Sequence, residues 1–250
     1  AGSVKYLFTE TAVKEQLLPR RISGVSANGA IALNVAEHTL GALIAISRRW
    51  ASLAQNIRDT KTWKDPSMPR SAQYLRGAKV GIVSASTVGR EVIRLLGPFD
   101  VDIRIFDPYL SDWDAGHLGV TKTGLNDLFR ESDMVTVHAP SIPATRHMIG
   151  SDQLRLLRDG ATFINTSRGS VLDHEALYQE AQTGRILVHL DVTDPEPLPP
   201  EHPLRPLENV TITPHTSGSG TYGYREIGRT IVESLEHHFS GQSVPGSVPL

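Results

Sequence analysis

Residues 79–107 read KVGIVSASTVGREVIRLLGPFDVDIRIFD, and this stretch decides the fold. The mostly apolar run at 80–83 is typical of a buried parallel strand. Apolar residues recur at helical spacing over 88–96, and a second apolar run follows at 101–106. Asp107 closes that run, roughly 20 residues after the turn, where a dinucleotide-binding unit places its acidic ribose ligand. The stretch therefore predicts a strand–helix–strand unit able to bind a dinucleotide.

The turn between the first strand and the helix, SASTVG at 84–89, departs from the G-x-G-x-x-G pattern. Ser84 and Ser86 stand at the first two glycine positions, which permit the tight turn and the close approach of the pyrophosphate. Gly89 keeps the third position, which lets helix and strand pack closely. Strain or crowding at each serine would cost about 1–3 kcal/mol, or about ten- to a hundredfold in affinity. Taken alone, the turn also fits a buried unit that binds nothing.

Length and composition restrict the class of protein. The 250 residues suffice for one large domain or two modest ones, and a net charge of −2 argues against a nucleic-acid partner. The absence of cysteine excludes disulfides and thiolate nucleophiles. We find no run of 18 or more apolar residues and no signal peptide, so we expect no membrane partner and a cytoplasmic location. The chain begins at Ala1 without Met, which leaves open a missing N-terminal segment.

Helices and strands alternate through the rest of the sequence. Residues 34–50 predict an amphipathic helix capped by Asn34, and Gly97 is expected to end the helix of the dinucleotide unit as a left-handed cap. Ser151 and Asp173 are expected to cap two later helices. Further strands are predicted at 134–138, 161–165, 186–190 and 210–213. The pattern favours an α/β fold with a doubly wound parallel sheet of the Rossmann type.

Residues able to do chemistry follow three of these strands. Arg168 comes after 161–165, Glu196 after 186–190 and His215 after 210–213. Ligands of such sheets bind beyond the carboxyl ends of the strands, so we expect the three side chains at one edge with the dinucleotide turn. An arginine can hold a carboxylate, a histidine can transfer a proton, and a carboxylate can orient the histidine.

Specific motifs at these positions carry a resemblance that spans nearly the whole chain. They are NVAEHT at 34–39, FDPY at 106–109, HAP at 138–140, INTSRG at 164–169, DVTDPEPL at 191–198, and TPH at 213–215 with Gly218. With these motifs the sequence resembles the D-isomer-specific 2-hydroxyacid dehydrogenases, a family that includes D-lactate dehydrogenase, glyoxylate/hydroxypyruvate reductase and phosphoglycerate dehydrogenase.

The resemblance implies a role for each matching residue. Arg168 would hold the carboxylate and keto oxygen of the substrate, His215 would protonate the developing alkoxide, and Glu196 would bond to His215 and keep it protonated. Gly2 and Ser3 match a loop whose backbone binds the substrate carboxylate. Asp107 would favour NAD over NADP, and no metal is implied. The cofactor-binding residues carried over are Ser86, Thr87, Val88, Gly89, Asp107, Pro140, Thr166, Ser167, Arg168, Asp191, His215 and Gly218.

The resemblance also implies a division into domains. Residues 34–218 would form the NAD-binding domain, 1–33 would be a remnant of a flavodoxin-like substrate-binding domain, and 219–250 would be a C-terminal helix returning to that domain. Most of the substrate-binding lobe is then absent, either because the chain is a fragment or because the protein is naturally truncated. The family further implies a homodimer formed near the helix at 34–50.

Three functions are compatible with the sequence. The first is an NAD-dependent oxidoreductase that acts on a small 2-hydroxy or 2-keto acid. The second is a non-catalytic relative, an NAD-sensing or corepressor-like scaffold, which the serines of the turn favour. The third and weakest is an interaction module produced by truncation.

Overall fold

A computed structural model of the chain describes residues 7–8, 24–25, 27–63, 73–244 and 247–248. The chain divides into two compact units: Val35–Ser217 forms the larger one, and Ala1–Asn34 with Gly218–Leu250 forms the smaller one. That the smaller unit derives from a substrate-binding domain stays a prediction.

A parallel sheet forms the centre of the larger unit. Its described strands are β3 Lys79–Val83, β4 Asp102–Phe106, β5 Thr121–Lys122, β6 Met134–Val137, β7 Thr162–Asn165, β8 Leu187–Leu190 and β9 Val210–Ile212. These seven strands lie in the order β5-β4-β3-β6-β7-β8-β9, and each neighbouring pair is parallel. The chain leaves β3 in one direction through β4 and in the other through β6, which confirms the predicted doubly wound sheet.

The apolar runs of the sequence become the middle of this sheet. Every residue of β6, β7 and β8 is buried, because helices cover both faces of the sheet. Two apolar clusters form the core, one including Phe129 and Phe163 and the other including Leu43, Ile82 and Leu96. The helices are α1 Ala32–Ser47, α2 Trp50–Thr60, α3 Thr87–Leu96, α4 Asp112–His117, α5 Leu125–Glu131, α6 Ser151–Leu154, α7 His174–Ala181 and α8 Thr221–Phe239.

Three predicted helix ends are wrong. A 3₁₀ turn, Asn28–Ile31, leads into α1, so Asn34 lies inside the helix and does not cap it. Gly97 has a right-handed φ of −47° and opens a further 3₁₀ turn, and the left-handed residue is Asp100. Ser151 is the first residue of the short α6 and not its cap. The prediction for Asp173 is confirmed, since its side chain accepts a hydrogen bond from the N–H of Ala176.

The stretch Gly29–Ser47 is long and apolar enough to cross a membrane by length and composition alone. The core helix of a globular domain meets the same criterion. Ala36 and Leu43 are fully buried, and Thr39 is bonded to Thr166 beyond the end of β7. These contacts are those of a helix that packs on a sheet.

The smaller unit contains a short sheet and the last helix. Strand β2, Gly24–Val25, pairs with β1, Leu7–Phe8, and with β10, Ser247–Val248. Gly223 in α8 allows a close approach, since a Cβ there would lie 2.4 Å from Nδ2 of Asn34. That approach explains a glycine within the first turn of the helix.

Candidate active site

The turn after β3 is organised by Asp107, the first residue after β4. Oδ2 of Asp107 accepts a hydrogen bond from the N–H of Ala85 (2.8 Å) and another from the hydroxyl of Ser84 (3.2 Å). Oδ1 of Asp107 accepts a third from the N–H of Tyr109 (2.8 Å). Ser84 has a φ of 81°, the left-handed conformation that a glycine adopts without strain. The sequence left open strain at either serine, and of the two only Ser84 has a left-handed φ. The bond from the Ser84 hydroxyl to Asp107 was not predicted.

Helix α3 begins directly after this turn. Ser86 is its N-cap, and its Oγ accepts a hydrogen bond from the N–H of Gly89 (3.3 Å). The first N–H groups of a helix have no acceptor within the helix, so those of Thr87 and Val88 can donate hydrogen bonds to an anion. A Cβ on Gly89 would lie 2.1 Å from the carbonyl oxygen of Ser84, so this position requires glycine. A helix N-terminus beside an acidic residue fits a dinucleotide.

The turn after β7 presents Arg168. The side chain of Asn165, fully buried, accepts from the N–H and hydroxyl of Ser167 and donates to the carbonyl of Arg168. The guanidinium of the half-buried Arg168 donates to the carbonyl of Ser167 (2.7 Å). A Cβ on Gly169 would lie 2.0 Å from the carbonyl oxygen of Thr193. Glycine at 169 thus allows this turn to pack closely against the loop that leads to Glu196.

The predicted acid–base pair is in contact. Nδ1 of His215 lies 2.6 Å from Oε1 of Glu196, and both side chains are 42% exposed. His215 has a left-handed φ of 52°, and its N–H donates to the carbonyl of Asp191 (2.9 Å). With Nδ1 directed at the carboxylate, Nε2 is the nitrogen left for a substrate.

Asp191 holds the segment that carries His215. Its carboxylate, 1% exposed, accepts from the hydroxyl of Thr213 and from the N–H groups of Thr216 and Ser217. Burial, the largest single influence, favours the protonated form, but the hydrogen bonds from Ser217, Thr213 and Thr216 outweigh it and lower the pKa of Asp191. The resemblance placed Asp191 at the nicotinamide, whereas the structure gives it the further role of a clamp.

An open pocket of about 530 Å³ lies at this pair, and its lining includes Asp191, Glu196 and His215. The apolar part of the lining comes from β9 and the proline-rich loop, at Val210, Ile212 and Leu198. A mixed lining of this kind suits a small polar molecule with an apolar part.

The remaining predicted residues are distributed as follows. Thr166 is buried, and its hydroxyl bonds to that of Thr39 (3.0 Å) on α1. Pro140 follows β6 and accepts from the hydroxyl of Thr145. Gly218 belongs to the smaller unit, and Gly2 and Ser3 lie outside the described residues. Within the described ranges, no group of three His, Asp or Glu suits a metal ion.

Two buried histidines, His138 just after β6 and His189 within β8, are held neutral. Burial lowers the pKa of His138, which follows β6, to about 3. Burial and then the neighbouring His38 lower the pKa of His189 to about 4. His138 is therefore uncharged at neutral pH, so it adds no positive charge to the sheet edge.

Comparison with known proteins identifies the family. Residues 40–217 match the model for the NAD binding domain of D-isomer specific 2-hydroxyacid dehydrogenases. The chain is 30% identical to a D-3-phosphoglycerate dehydrogenase of Archaeoglobus fulgidus over 92% of its length, and 32% identical to a hydroxypyruvate reductase of Thermotoga maritima over 83%. It spans 44% of the first relative and 67% of the second. The crystal structure of the TT0316 protein of Thermus thermophilus, 29% identical, aligns with a TM-score of 0.84 over 96% of this chain and 76% of that one. The chain therefore belongs to the D-isomer-specific 2-hydroxyacid dehydrogenase family and contains its NAD-binding domain.

Proposed function

We propose that this protein transfers a hydride between NAD(H) and a small 2-hydroxy or 2-keto acid. The observation that carries the proposal is the 2.6 Å contact between Nδ1 of His215 and Oε1 of Glu196, at the same sheet edge as Asp107 and Arg168. The first compounds to test are hydroxypyruvate, named in the Thermotoga maritima relative, and glyoxylate, named in a 32% identical reductase of Thermofilum pendens.

The roles follow from the chemistry of the side chains. When bound, the reduced nicotinamide supplies the hydride that adds to the keto carbon. His215, hydrogen-bonded to Glu196 through Nδ1, gives its Nε2 proton to the keto oxygen, and in the reverse direction the same nitrogen accepts the proton. Arg168 holds the substrate carboxylate with the paired donors of its guanidinium. Asp191 keeps the segment of His215 in place and does not itself react.

A non-catalytic NAD-sensing scaffold is the second candidate. It is favoured by Ser86, whose hydroxyl accepts a hydrogen bond from the N–H of Gly89. That N–H is then not available as a donor to a bound pyrophosphate. Both functions predict dinucleotide binding, and they differ in whether His215 and Arg168 support turnover.

Initial rates of 2-keto acid reduction, followed by NADH absorbance, separate the two. We expect turnover with glyoxylate or hydroxypyruvate, and a loss of at least a hundredfold in His215→Gln, since a general acid contributes about 10²–10⁴-fold. His117→Gln is the matched control, because His117 is exposed on α4 and bonds to the carbonyl of Trp113. Bound NADH with no turnover on any keto acid would favour the scaffold.

The predicted homodimer is supported by an exposed apolar face on α2. Trp50, Leu53 and Ile57 recur at helical spacing and are 59%, 38% and 43% exposed. α1, the helix nearest the predicted 34–50, buries Leu43 and Ala36 against the core instead. The dimer contact is therefore proposed at α2, and the cytoplasmic location stays a prediction.

A further inference from the structure

The carboxylate of Asp107 is largely occupied by the protein itself. A carboxylate offers about four lone-pair positions, two on each oxygen. Oδ2 receives the N–H of Ala85 and the hydroxyl of Ser84, and Oδ1 receives the N–H of Tyr109. Among the residues that the structure describes, this leaves one acceptor position, on Oδ1.

The hydroxyl of Ser84 takes the second acceptor position of Oδ2. A glycine at this position, as in the G-x-G-x-x-G pattern, would leave Oδ2 with the N–H of Ala85 and one open position. The hydroxyl of Ser84 closes that position at 3.2 Å, and its proton has to point at Oδ2, because a carboxylate only accepts. Ser84 makes this contact from the left-handed conformation, with a φ of 81°.

The adenosine ribose of a dinucleotide carries two adjacent hydroxyls, at C2′ and C3′. A carboxylate with both oxygens open can accept from each of them, whereas one open position can accept from a single hydroxyl. In dinucleotide-binding folds the acidic residue after the second strand bonds to the 2′-hydroxyl. The 3′-hydroxyl then finds no acceptor on Asp107.

We propose that Ser84 is a specificity-determining residue that restricts Asp107 to one ribose hydroxyl, so that this protein recognises the 2′-hydroxyl of NAD and is indifferent to the 3′-hydroxyl. The inference rests on the proposed use of NAD and adds how the ribose is recognised. Serine at the first glycine position then changes how the ribose is recognised, and it does not indicate that NAD binding has been lost.

Calorimetric titration with NAD⁺ and with its adenosine 2′-deoxy and 3′-deoxy analogues tests this on the whole chain. For the unaltered protein we expect the 2′-deoxy analogue to bind about tenfold more weakly and the 3′-deoxy analogue to bind within twofold of NAD⁺. Ser84→Gly opens Oδ2, so the 3′-deoxy analogue should then lose at least fivefold against NAD⁺. Ser84→Ala should do the same with the Cβ retained, and Ser84→Gly covers the case in which alanine in the left-handed conformation fails to fold.

Ser86→Ala is the control, since Ser86 caps α3 and the bonds described for Asp107 do not include it. Its affinities for NAD⁺ and the 3′-deoxy analogue should move together, so their ratio stays within twofold. The inference is overturned, and the proposed function is not, if the unaltered protein binds the 3′-deoxy analogue more than fivefold more weakly than NAD⁺. The same holds if the ratio of these two affinities is unchanged in both Ser84 variants. No binding of NAD⁺ by any of the four proteins overturns the proposed function, and the inference with it.

Discussion

Nδ1 of His215 lies 2.6 Å from Oε1 of Glu196, although 19 residues separate them in the sequence. The two come from different segments: Glu196 from the proline-rich loop after β8, and His215 from the turn after β9. In the proposed reduction, the carboxylate sets which ring nitrogen faces the substrate, and it stabilises the imidazolium that donates the proton.

Glu196→Gln should lower kcat/KM for 2-keto acid reduction by about ten- to a hundredfold, because the amide orients the imidazole but no longer balances its charge. Steady-state rates measure the loss. Glu201→Gln is the control in the same loop, since Glu201 is exposed and has no assigned role. A Glu196 variant within threefold of the unaltered protein would contradict the role.

Arg168→Ala should lower kcat/KM by more than tenfold, mainly through KM, because the substrate carboxylate loses its cation. Arg168→Lys should recover only part of the activity, since lysine is a point charge and not a planar pair of donors. Arg155→Ala, at an exposed position after α6, should leave the rates unchanged. A loss below tenfold in Arg168→Ala would rule out the assigned role.

Gly169→Ala should destabilise the protein by about 1–3 kcal/mol, because its Cβ would overlap backbone atoms and not a movable side chain. That Cβ would lie 2.0 Å from the carbonyl oxygen of Thr193 and 2.6 Å from the N of Asp194. Urea unfolding measures the change, and activity should fall with it. Gly116→Ala in α4 is the control, since nothing lies within 4 Å of its Cβ, and alanine there should stabilise the helix.

Buried His138 should make stability depend on pH. Burial lowers its pKa from 6.5 to about 3 in the folded state. The folded value lies below the unfolded one, so the contribution is fully present above pH 6.5 and is lost as pH falls toward 3. Between about pH 6 and 4, His138→Gln should remove about 1.4 kcal/mol per pH unit from the slope of the unfolding free energy. His117→Gln should keep the slope, and an unchanged slope in the His138 variant would contradict the prediction.

Leu53→Arg should convert the proposed dimer to a monomer, because it places a charge in the middle of the apolar face of α2. Light scattering after gel filtration measures the mass. Gln55→Arg is the control, since Gln55 is exposed on the same helix and two residues away, on the opposite side. A monomeric unaltered protein would contradict the proposal.

The sequence predicted the sheet well because buried parallel strands leave a strong signal. The apolar runs at β6, β7 and β8 and the helical spacing of α3 need no tertiary information. The strand ends placed Arg168, Glu196 and His215 at one edge for the same reason: parallel strands all finish on the same side.

Contacts between distant segments were not predictable in this way. Asn165 organises the Arg168 turn and Asp191 clamps the His215 turn, but each resembles an ordinary polar residue at a strand end in the sequence. The cap assigned to Asn34 failed because a preceding 3₁₀ turn, Asn28–Ile31, leads into α1 and leaves Asn34 inside the helix. Strain at the two serines was considered from the sequence only as a cost of replacing glycine, and the bond from Ser84 to Asp107 depends on the fold.

The proposed hydride transfer is tested by following deuterium from NADH deuterated at both C4 positions to a 2-keto acid, with the hydroxy acid product examined by mass spectrometry. We expect one deuterium at C2 of the product with the unaltered protein, and less than a hundredth of that amount of labelled product in the same time with His215→Gln. Absence of labelled product while calorimetry shows NADH bound would contradict the proposed catalysis and leave a protein that binds the dinucleotide without using it.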